Sequence, residues 1–387
     1  MKLILVLAAL AGAGVAVWSF WPRAAAGLPE KTTDSVPSSE TAIQVEKDER
    51  TGSMDASEKI RAVTLDAWHK PPEGTLADLA SHGVSHIALV TFGWQEAYNT
   101  PRIRMKTDAR WYTESDRGIA ELAERGRVHG IRVIVKPHLW LSNSAAEEFY
   151  RGKKVITKKW RDGIEFQSES DWQIWEADYR RFMLHYADLA QEIGADILCV
   201  GTELRSTVAN RPAYWRGLIA EIRERFDGRL TYAANWYKGY QEVPFWDALD
   251  IVGVQAYFPL SKDESPSADT LTAGWQRHKE ALETLQREAG KPLMFTELGY
   301  RSVPFAASEP WTWPSRADRG AVRPDLQLQA DLYEAFFRAF WSEPWFAGSI
   351  IWKWYPEGAH DDERRAIDFT PQDKPAAEVL RHYYAGT

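Results

Sequence analysis

The segments Asp196-Ile-Leu-Cys-Val-Gly-Thr-Glu203-Leu and Pro292-Leu-Met-Phe-Thr-Glu297-Leu-Gly-Tyr300 each carry a short apolar run that ends in Thr-Glu-Leu. Such runs are typical of parallel strands that are buried on both faces. A carboxylate at the carboxyl end of a barrel strand faces the open mouth of the barrel rather than its packed interior. The sequence therefore predicts that Glu203 and Glu297 point from two different strands towards one mouth.

Eight apolar runs of strand length recur along the chain, with amphipathic stretches between them. Asp171–Ile193 is the clearest of these stretches, because its apolar side chains recur every three or four residues and Gly194 follows as a C-cap. Eight strands that alternate with helices predict an α/β protein, a single (β/α)8 TIM barrel. The predicted strands are Ala62–Trp68, His86–Trp94, Ile131–Trp140, Asp196–Glu203, Leu230–Trp236, Asp250–Tyr257, Leu293–Tyr300 and Gly348–Tyr355.

An open, doubly wound sheet is the competing α/β architecture. It usually carries a glycine-rich phosphate loop after its first strand. Here the first strand leads into Trp68-His69-Lys70-Pro71-Pro72, which contains no glycine. The barrel is therefore the preferred fold. Two long loops leave its strands at their carboxyl ends, one from Trp140 to about Ser170 and one from Tyr300 to about Pro324, and we expect them to be functional.

The N-terminus is predicted to be a targeting segment and not part of the barrel. Lys2 precedes a charge-free stretch from Leu3 to Trp21, and Ala24-Ala25-Ala26 offers small residues for cleavage. Residues 1–26 are therefore a signal peptide or a membrane anchor, two alternatives that the sequence leaves open. Residues 27–58 are polar and predict a disordered linker, and residues 59–387 form the barrel domain. We expect export to the periplasm or the extracellular space, with release or with attachment through residues 3–21.

Composition argues against several classes of partner. The net charge of −8 does not favour a nucleic-acid surface or an anionic-membrane surface. The single cysteine, Cys199, can form no intrachain disulfide and is predicted to be a buried apolar residue. His360-Asp361-Asp362-Glu363 has the composition of a metal site but not its ligand spacing. Lys136 and Arg301 are interpreted as structural ion-pair partners. We predict a monomer that needs no metal and no organic cofactor.

Other side chains at strand ends are predicted to face the mouth with the two glutamates. Alternation along a strand also places Cys199 and Gly201 beneath Glu203, facing the barrel interior. An imidazole, an amide, a phenol and several indoles suit the hydroxyl groups and apolar faces of a sugar. Two carboxylates on different strands are what retaining glycoside hydrolysis needs. The predicted substrate-binding residues are Trp68, His138, Trp140, Asn235, Tyr257, Trp352 and Trp354.

Three motifs, in their order along the strands, resemble the family-113 β-mannanases of glycoside hydrolase clan A. They are Lys136-Pro-His138-Leu-Trp140, Gly201-Thr-Glu203 and Phe295-Thr-Glu297-Leu-Gly-Tyr300-Arg-Ser302. The resemblance implies that Glu203 is the acid/base and Glu297 the nucleophile. It further implies that Tyr257 donates a hydrogen bond to the nucleophile and that Trp352 or Trp354 lies under the reacting sugar. Thr202 stands where the wider clan has an asparagine that contacts the sugar 2-hydroxyl, a contact that Asn235 can replace.

The implied function is retaining hydrolysis, by double displacement, of an oligo- or polysaccharide with β-linked mannose or glucose. A second hypothesis is a catalytically weak or inactive carbohydrate-binding envelope protein on the same barrel. It is weakened because Glu203, Glu297 and Tyr257 are all present. A metal-dependent barrel hydrolase is the third, and it is weakened because the sequence lacks a cluster of His, Asp and Glu at ligand spacing.

Overall fold

Parallel strands close into a barrel in this chain. The computed structural model describes residues 59–150, 153–237, 239–314, 320–356 and 365–386. The predicted targeting segment, the predicted linker and the tetrad at 360–363 therefore lie outside the described residues. The described strands are β1 (Ile60–Leu65), β2 (His86–Ala97), β3 (Ile103–Met105), β4 (Arg132–Asn143), β5 (Ala145–Tyr150), β6 (Lys153–Lys158), β7 (Ile197–Thr202), β8 (Arg229–Ala234), β9 (Ile251–Gln255), β10 (Leu293–Leu298) and β11 (Phe346–Trp354).

Eight of these strands pair in parallel in the order β1-β2-β4-β7-β8-β9-β10-β11, and β11 pairs with β1 to close the ring. The short β3 adds an antiparallel edge to β2, and β5 and β6 form a separate hairpin. The predicted (β/α)8 TIM barrel is thus confirmed. The described helices are α1 (Thr75–Ser81), α2 (Asp116–Val128), α3 (Glu169–Glu192), α4 (Arg205–Asn210), α5 (Pro212–Arg223), α6 (Ala268–Ala289), α7 (Leu326–Phe340) and α8 (Pro375–Ala385).

The core has two parts. A large cluster of apolar and aromatic side chains includes both outward-facing strand residues and buried helix residues. A smaller cluster fills the barrel itself, because one residue in two on each strand faces inward. Its members come from seven of the eight barrel strands and are mostly aliphatic: Ile60, Ala62, Ala88, Ile134, Ile197, Ile251, Met294, Ala347 and Ile350. The barrel is therefore a packed core that supports a mouth at the carboxyl ends of its strands.

Helix α3 illustrates how the sequence pattern produces the outer layer. Its first turn is capped by Ser168, whose Oγ accepts a hydrogen bond from the Asp171 amide, and Gly194 follows the helix with a φ of 63°. Trp175 and Tyr179 are buried on its inner face and stack with ring centres 4.8 Å apart. Within the described residues, no helix is both long enough and apolar enough to cross a bilayer.

The predicted orientation of Gly201 was wrong. The pairing of β7 with β8 is irregular between Cys199 and Thr202, and such an irregularity breaks the alternation of side chains. A Cβ atom on Gly201 would lie 2.8 Å from the Trp215 ring and 3.0 Å from the Tyr232 ring, both in the outer layer. Gly201 therefore faces the helices, where two large aromatic rings leave no room for a side chain.

We predict that Gly348→Ala destabilises the fold at the seam where β11 closes on β1. Gly348 has a φ of 136°, and a Cβ atom there would lie 2.1 Å from the Ile60 carbonyl oxygen. Backbone strain together with this clash should lower the free energy of unfolding by at least about 2 kcal/mol. The measurement is the midpoint of urea unfolding.

Gly217→Ala is the matched control, because Gly217 lies inside α5 with no described atom within 4 Å of the added methyl group. Helix propensity predicts a stability gain of about 0.5–1 kcal/mol. An unfolding midpoint of Gly348→Ala equal to that of the parent protein would contradict the steric argument.

Candidate active site

The structure brings the two predicted glutamates to the same mouth. Glu297 lies in β10 and is 5% exposed. Glu203 follows β7, and its amide donates to the Ala233 carbonyl oxygen of β8 at 2.8 Å. Its φ of 54° is in the left-handed region, which a residue other than glycine adopts at a cost of about 1–3 kcal/mol. Such strain is frequent at functional sites, and here it belongs to the residue predicted to be the acid/base.

Glu297 is held by donors on both of its oxygens. Lys136 Nζ donates to Oε1 at 2.5 Å, and Tyr257 Oη donates to Oε2 at 2.8 Å. Burial opposes ionisation of Glu297, but the charge and hydrogen bond of Lys136, with Gln255 and Arg161, outweigh it and lower the pKa of the carboxyl. The result is a buried carboxylate that stays ionised at neutral pH.

Lys136 does form an ion pair, as predicted, but its partner is Glu297, which places Lys136 in the candidate site. It is fully buried, and besides Glu297 it contacts Gln255 Oε1 at 3.2 Å. The signal was present in the alternation of β4, because Lys136 is two residues before His138 and therefore faces the same side of the strand. Arg301, the other predicted ion-pair partner, donates to the Ile367 carbonyl oxygen and lies over the Trp313 ring at 4.1 Å.

Glu203 has a different environment. Arg161 Nη2 donates to Glu203 Oε2 at 2.8 Å, and Arg161 is itself 6% exposed. Burial raises the pKa of Glu203, and the negative charges of Glu297 and Asp162 raise it further, against the opposing charge of Arg161. The pKa of Glu203 therefore shifts in the opposite direction to that of Glu297, which suits the two carboxyl groups to different chemical roles.

Arg161 reaches the mouth through the first of the predicted long loops. After β4, the chain forms the β5–β6 hairpin and then a 3₁₀ turn at Arg161–Gly163. This turn places Arg161 against the Leu139 carbonyl oxygen at 3.3 Å as well as against Glu203. No local sequence signal pointed to Arg161, because its partner is 42 residues away in the chain.

His138, within β4, and Asn235, directly after β8, are both buried, at 3% exposure each. His138 Nε2 lies 3.8 Å from Glu297 Oε1, which is too long for a hydrogen bond. Burial, with the charges of Lys136 and Arg161, holds the pKa of His138 well below its usual range, so the ring is neutral. Among the described residues, neither His138 Nε2 nor Asn235 Oδ1 has a hydrogen-bond partner. Buried polar atoms without a hydrogen-bond partner in the protein are suited to form hydrogen bonds with a ligand.

The tryptophans near the mouth differ in their surroundings. Trp140 packs among Phe92, Trp94 and Trp160, with ring centres 5.0–6.1 Å away. Trp68 is exposed by 38% just after β1. In the second predicted long loop, Trp311 stacks on Trp236 at 4.9 Å. Each of these places an indole on a segment at the carboxyl ends of the strands.

Trp352 and Trp354 do not share a face, so at most one of them lines the mouth. Pairing of β11 with β1 is irregular, since Val63 pairs with Ile351 whereas Leu65 pairs with Trp354. Trp354 is 3% exposed, belongs to the outer core and meets the His82 ring edge-on at 5.3 Å. The prediction for Trp354 therefore conflicts with its position, because a sugar cannot reach a residue buried there. Trp352 is half-buried and remains the candidate.

In the portion of the chain that the structure describes, no three His, Cys, Asp or Glu side chains form a group that could hold a metal ion. Cys199 is buried, and its Sγ lies 3.1 Å from the Gly201 carbonyl oxygen. The two carboxyl groups are contacted by the side chains of Lys136, Arg161 and Tyr257.

Comparisons with known proteins agree with this fold. The family-113 β-mannanase AaManA from Alicyclobacillus acidocaldarius, solved in complex with ManMIm, aligns with a TM-score of 0.69 and 27% identity over 85% of this chain and 97% of its own. Another family-113 β-1,4-mannanase aligns with a TM-score of 0.69 and 23% identity over 85% of this chain and 100% of its own. The endo-1,4-β-D-mannanase from Thermotoga petrophila shares the fold, with a TM-score of 0.51 and 12% identity over 85% of this chain and 100% of its own.

None of the curated protein sequences matches the chain. In contrast, residues 66–374 match the sequence model of Glycoside Hydrolase Family 113. This range includes every barrel strand after β1 and both glutamates. With the barrel and the paired carboxyl groups in place, this match means that the chain belongs to Glycoside Hydrolase Family 113.

Proposed function

We propose that this glycoside hydrolase cleaves a β-linked mannose-containing oligo- or polysaccharide with retention of configuration. Glu297 is the nucleophile and Glu203 is the acid/base. The observation that supports these roles best is the opposite direction of the two pKa shifts, since Lys136 and Tyr257 stabilise a charged Glu297 while burial and nearby carboxylates favour a protonated Glu203. A double displacement needs one carboxyl group of each kind.

Support for mannose comes from the relative with 27% identity, the β-mannanase AaManA. Glucose-containing chains are the competing substrate, because the polar groups of the mouth suit any sugar with free hydroxyl groups. A panel of manno- and gluco-oligosaccharides, with reducing sugar measured over time, decides between them. Turnover of neither series would favour the carbohydrate-binding protein on the same barrel.

In the first step, a carboxylate oxygen of Glu297 attacks the anomeric carbon while Glu203 gives its proton to the departing glycosidic oxygen. The carbon–oxygen bond to the leaving sugar breaks, and a glycosyl ester forms on Glu297. Lys136 and Tyr257 keep Glu297 ionised and aimed before the attack. The developing positive charge on the sugar ring is stabilised by the same carboxylate.

In the second step, Glu203 takes a proton from water, which attacks the anomeric carbon and frees Glu297. Formation of the ester removes the negative charge of Glu297, and that charge is one of the causes of the raised pKa of Glu203. Arg161 remains beside Glu203 and favours its ionised form. The pKa of Glu203 therefore falls when the ester forms, which converts a proton donor into a base.

We predict that Glu203→Ala and Glu297→Ala both fold and both lose most activity on natural oligosaccharides, by roughly 10²–10⁴-fold for Glu203→Ala. With an activated aryl glycoside, whose leaving group needs little protonation, Glu203→Ala should still form the glycosyl ester. Added azide should then raise its turnover and yield a glycosyl azide, and Glu297→Ala should give no such product by this route. Full activity of Glu203→Ala on oligosaccharides would overturn the acid/base assignment.

Tyr257→Phe should shift the acidic limb of the kcat/KM profile to higher pH. The variant removes one hydrogen bond to ionised Glu297, so the pKa of the nucleophile rises. Tyr383→Phe removes the hydroxyl group that contacts Glu334 on α7, outside the mouth, and serves as the matched control. An acidic limb that is identical in the Tyr257 variant and the control would remove Tyr257 from the site.

Arg161→Met should move the basic limb to higher pH. Arg161 lowers the pKa of Glu203, so its removal lets the pKa rise further, and the acid form persists to a higher pH. Arg180→Met is the control, because Arg180 pairs with Glu221 on the surface. A basic limb that shifts to lower pH would show that Arg161 does not act on Glu203 in the way that we describe.

A further inference from the structure

A rigid segment follows β1 at the mouth and has no part in the mechanism above. The Asp66 amide donates to the Trp354 carbonyl oxygen of β11 at 2.9 Å. The Ala67 amide donates to Thr113 Oγ1, and the Thr113 amide donates to the Ala67 carbonyl oxygen, both at 3.2 Å. The Tyr112 amide donates to the Trp68 carbonyl oxygen at 3.1 Å. This backbone is fixed on two sides, so the side chains of Asp66 and Trp68 are carried by a stable frame.

Asp66 has two partners, one on each oxygen. Trp111 Nε1 donates to Oδ1 at 2.7 Å, and Lys353 Nζ contacts Oδ2. The side chains of Asp66 and Lys353 are only 15% and 11% exposed, so solvent screens their attraction weakly. Glu114 is close by, and burial with the charge of Asp66 raises its pKa to about 8, against the effect of Lys353. The protonated form of Glu114 is thus favoured at neutral pH, and Asp66 is the carboxyl group in contact with Lys353.

Each partner of Asp66 in turn contacts a tryptophan. Lys353 Nζ lies 5.2 Å from the centre of the Trp352 ring, within the range of a cation–π contact. Trp111 meets Trp68 edge-to-face, with ring centres 4.4 Å apart and planes at 72°. The guanidinium of Arg110 lies 6.0 Å from the centre of the Trp68 ring.

We propose that Asp66 is a positioning residue that fixes Trp352 through Lys353 and Trp68 through Trp111, so that the two indoles form one track for a carbohydrate chain. Trp352 is the inner platform, under the sugar that is cleaved, and Trp68 is the outer platform, for a sugar remote from the scissile bond. This inference rests on the proposed function for the role of Trp352. The Trp68 platform stands independently as a binding site for sugar rings.

Exposure and rigidity together support the track. An indole exposed by 38% leaves apolar surface in water, and a sugar ring can cover that surface. A rigid platform binds more tightly than a mobile one, because less conformational entropy is lost on binding. A purely structural ion pair between β1 and β11 would explain the contact of Asp66 with Lys353. It would not explain why the other oxygen of Asp66 holds Trp111 against an exposed tryptophan.

Three substitutions separate two branches of contacts that start at Asp66. The Trp68 branch runs through Trp111, and the Trp352 branch runs through Lys353. Trp111→Phe keeps an aromatic ring but removes the hydrogen bond to Asp66, and so it affects the Trp68 branch. Lys353→Met affects the Trp352 branch, with Lys353→Arg as the conservative variant that keeps the charge. Asp66→Asn affects both branches. Trp68→Ala removes the outer platform itself, and Val128→Ala, which truncates an apolar residue exposed by 80% on α2, is its control.

The experiment measures kcat and KM for β-1,4-manno-oligosaccharides of two to six units, with thermal unfolding of each variant as the folding check. We expect Trp68→Ala and Trp111→Phe to raise KM for the hexasaccharide by roughly two- to tenfold, the effect of a lost stacking contact, and to change KM least for the shortest substrate. Lys353→Met should lower kcat at every length, and Lys353→Arg should restore part of it. Asp66→Asn should show both effects.

A structural ion pair alone predicts a different result, in which Asp66→Asn, Lys353→Met and Trp111→Phe lower the unfolding temperature and affect every chain length equally. That result, or an unchanged hexasaccharide KM in Trp68→Ala, overturns the proposal. Calorimetry of mannohexaose binding, in the Glu297→Gln background with and without Trp68→Ala, tests the outer platform without turnover. If the parent enzyme hydrolyses neither manno- nor gluco-oligosaccharides, the proposed function fails. Weaker mannohexaose binding in Trp68→Ala would still support the Trp68 platform. Unchanged binding in Trp68→Ala, or undetectable binding in the parent background, overturns the platform.

Discussion

The contact between Lys136 and Glu297 joins two strands across the inside of the barrel, and the candidate site depends on it. Lys136 comes from β4 and Glu297 from β10, and neither side chain is exposed by more than 7%. An isolated charge at this depth would cost several kcal/mol, and the nearby ammonium group of Lys136 stabilises the ionised form of Glu297. Tyr257 and Gln255 complete the hydrogen bonding of the pair. The register and closure of the barrel therefore set the protonation state of Glu297.

The two glutamates show how neighbours determine chemistry when the local sequence does not. Both end an apolar strand, and both lie between Thr and Leu. Glu297 is paired with an ammonium group and a phenol, whereas Glu203 is paired with Arg161 and lies within the field of Glu297. The pKa values consequently shift in opposite directions. Asymmetry between the carboxyl groups arises from side chains that are distant in sequence.

The chain contains 19 tryptophans, and their roles are decided by burial. Trp175, Trp215 and Trp275 are fully buried and pack the layer between barrel and helices. Trp68 and Trp352 keep part of their surface accessible near the mouth. Both kinds make aromatic or cationic contacts, so contact with another ring does not identify a sugar platform. A platform also needs an exposed face at the end of the barrel that carries the carboxyl groups.

The alternation and spacing of apolar residues were enough to predict the eight-stranded barrel and the placement of Glu203, Glu297 and Tyr257 at its mouth, because strand periodicity is a local property of the chain. Predictions failed where a strand is irregular. Gly201 faces the helices, and Trp354 lies in the outer core, since each follows a shift in register that local sequence does not encode. The partners of the glutamates, Lys136 and Arg161, are 161 and 42 residues away from them in the chain. Such distant groups are brought together by closure of the barrel and by the return of the β5–β6 hairpin, so tertiary structure alone decided which charges meet.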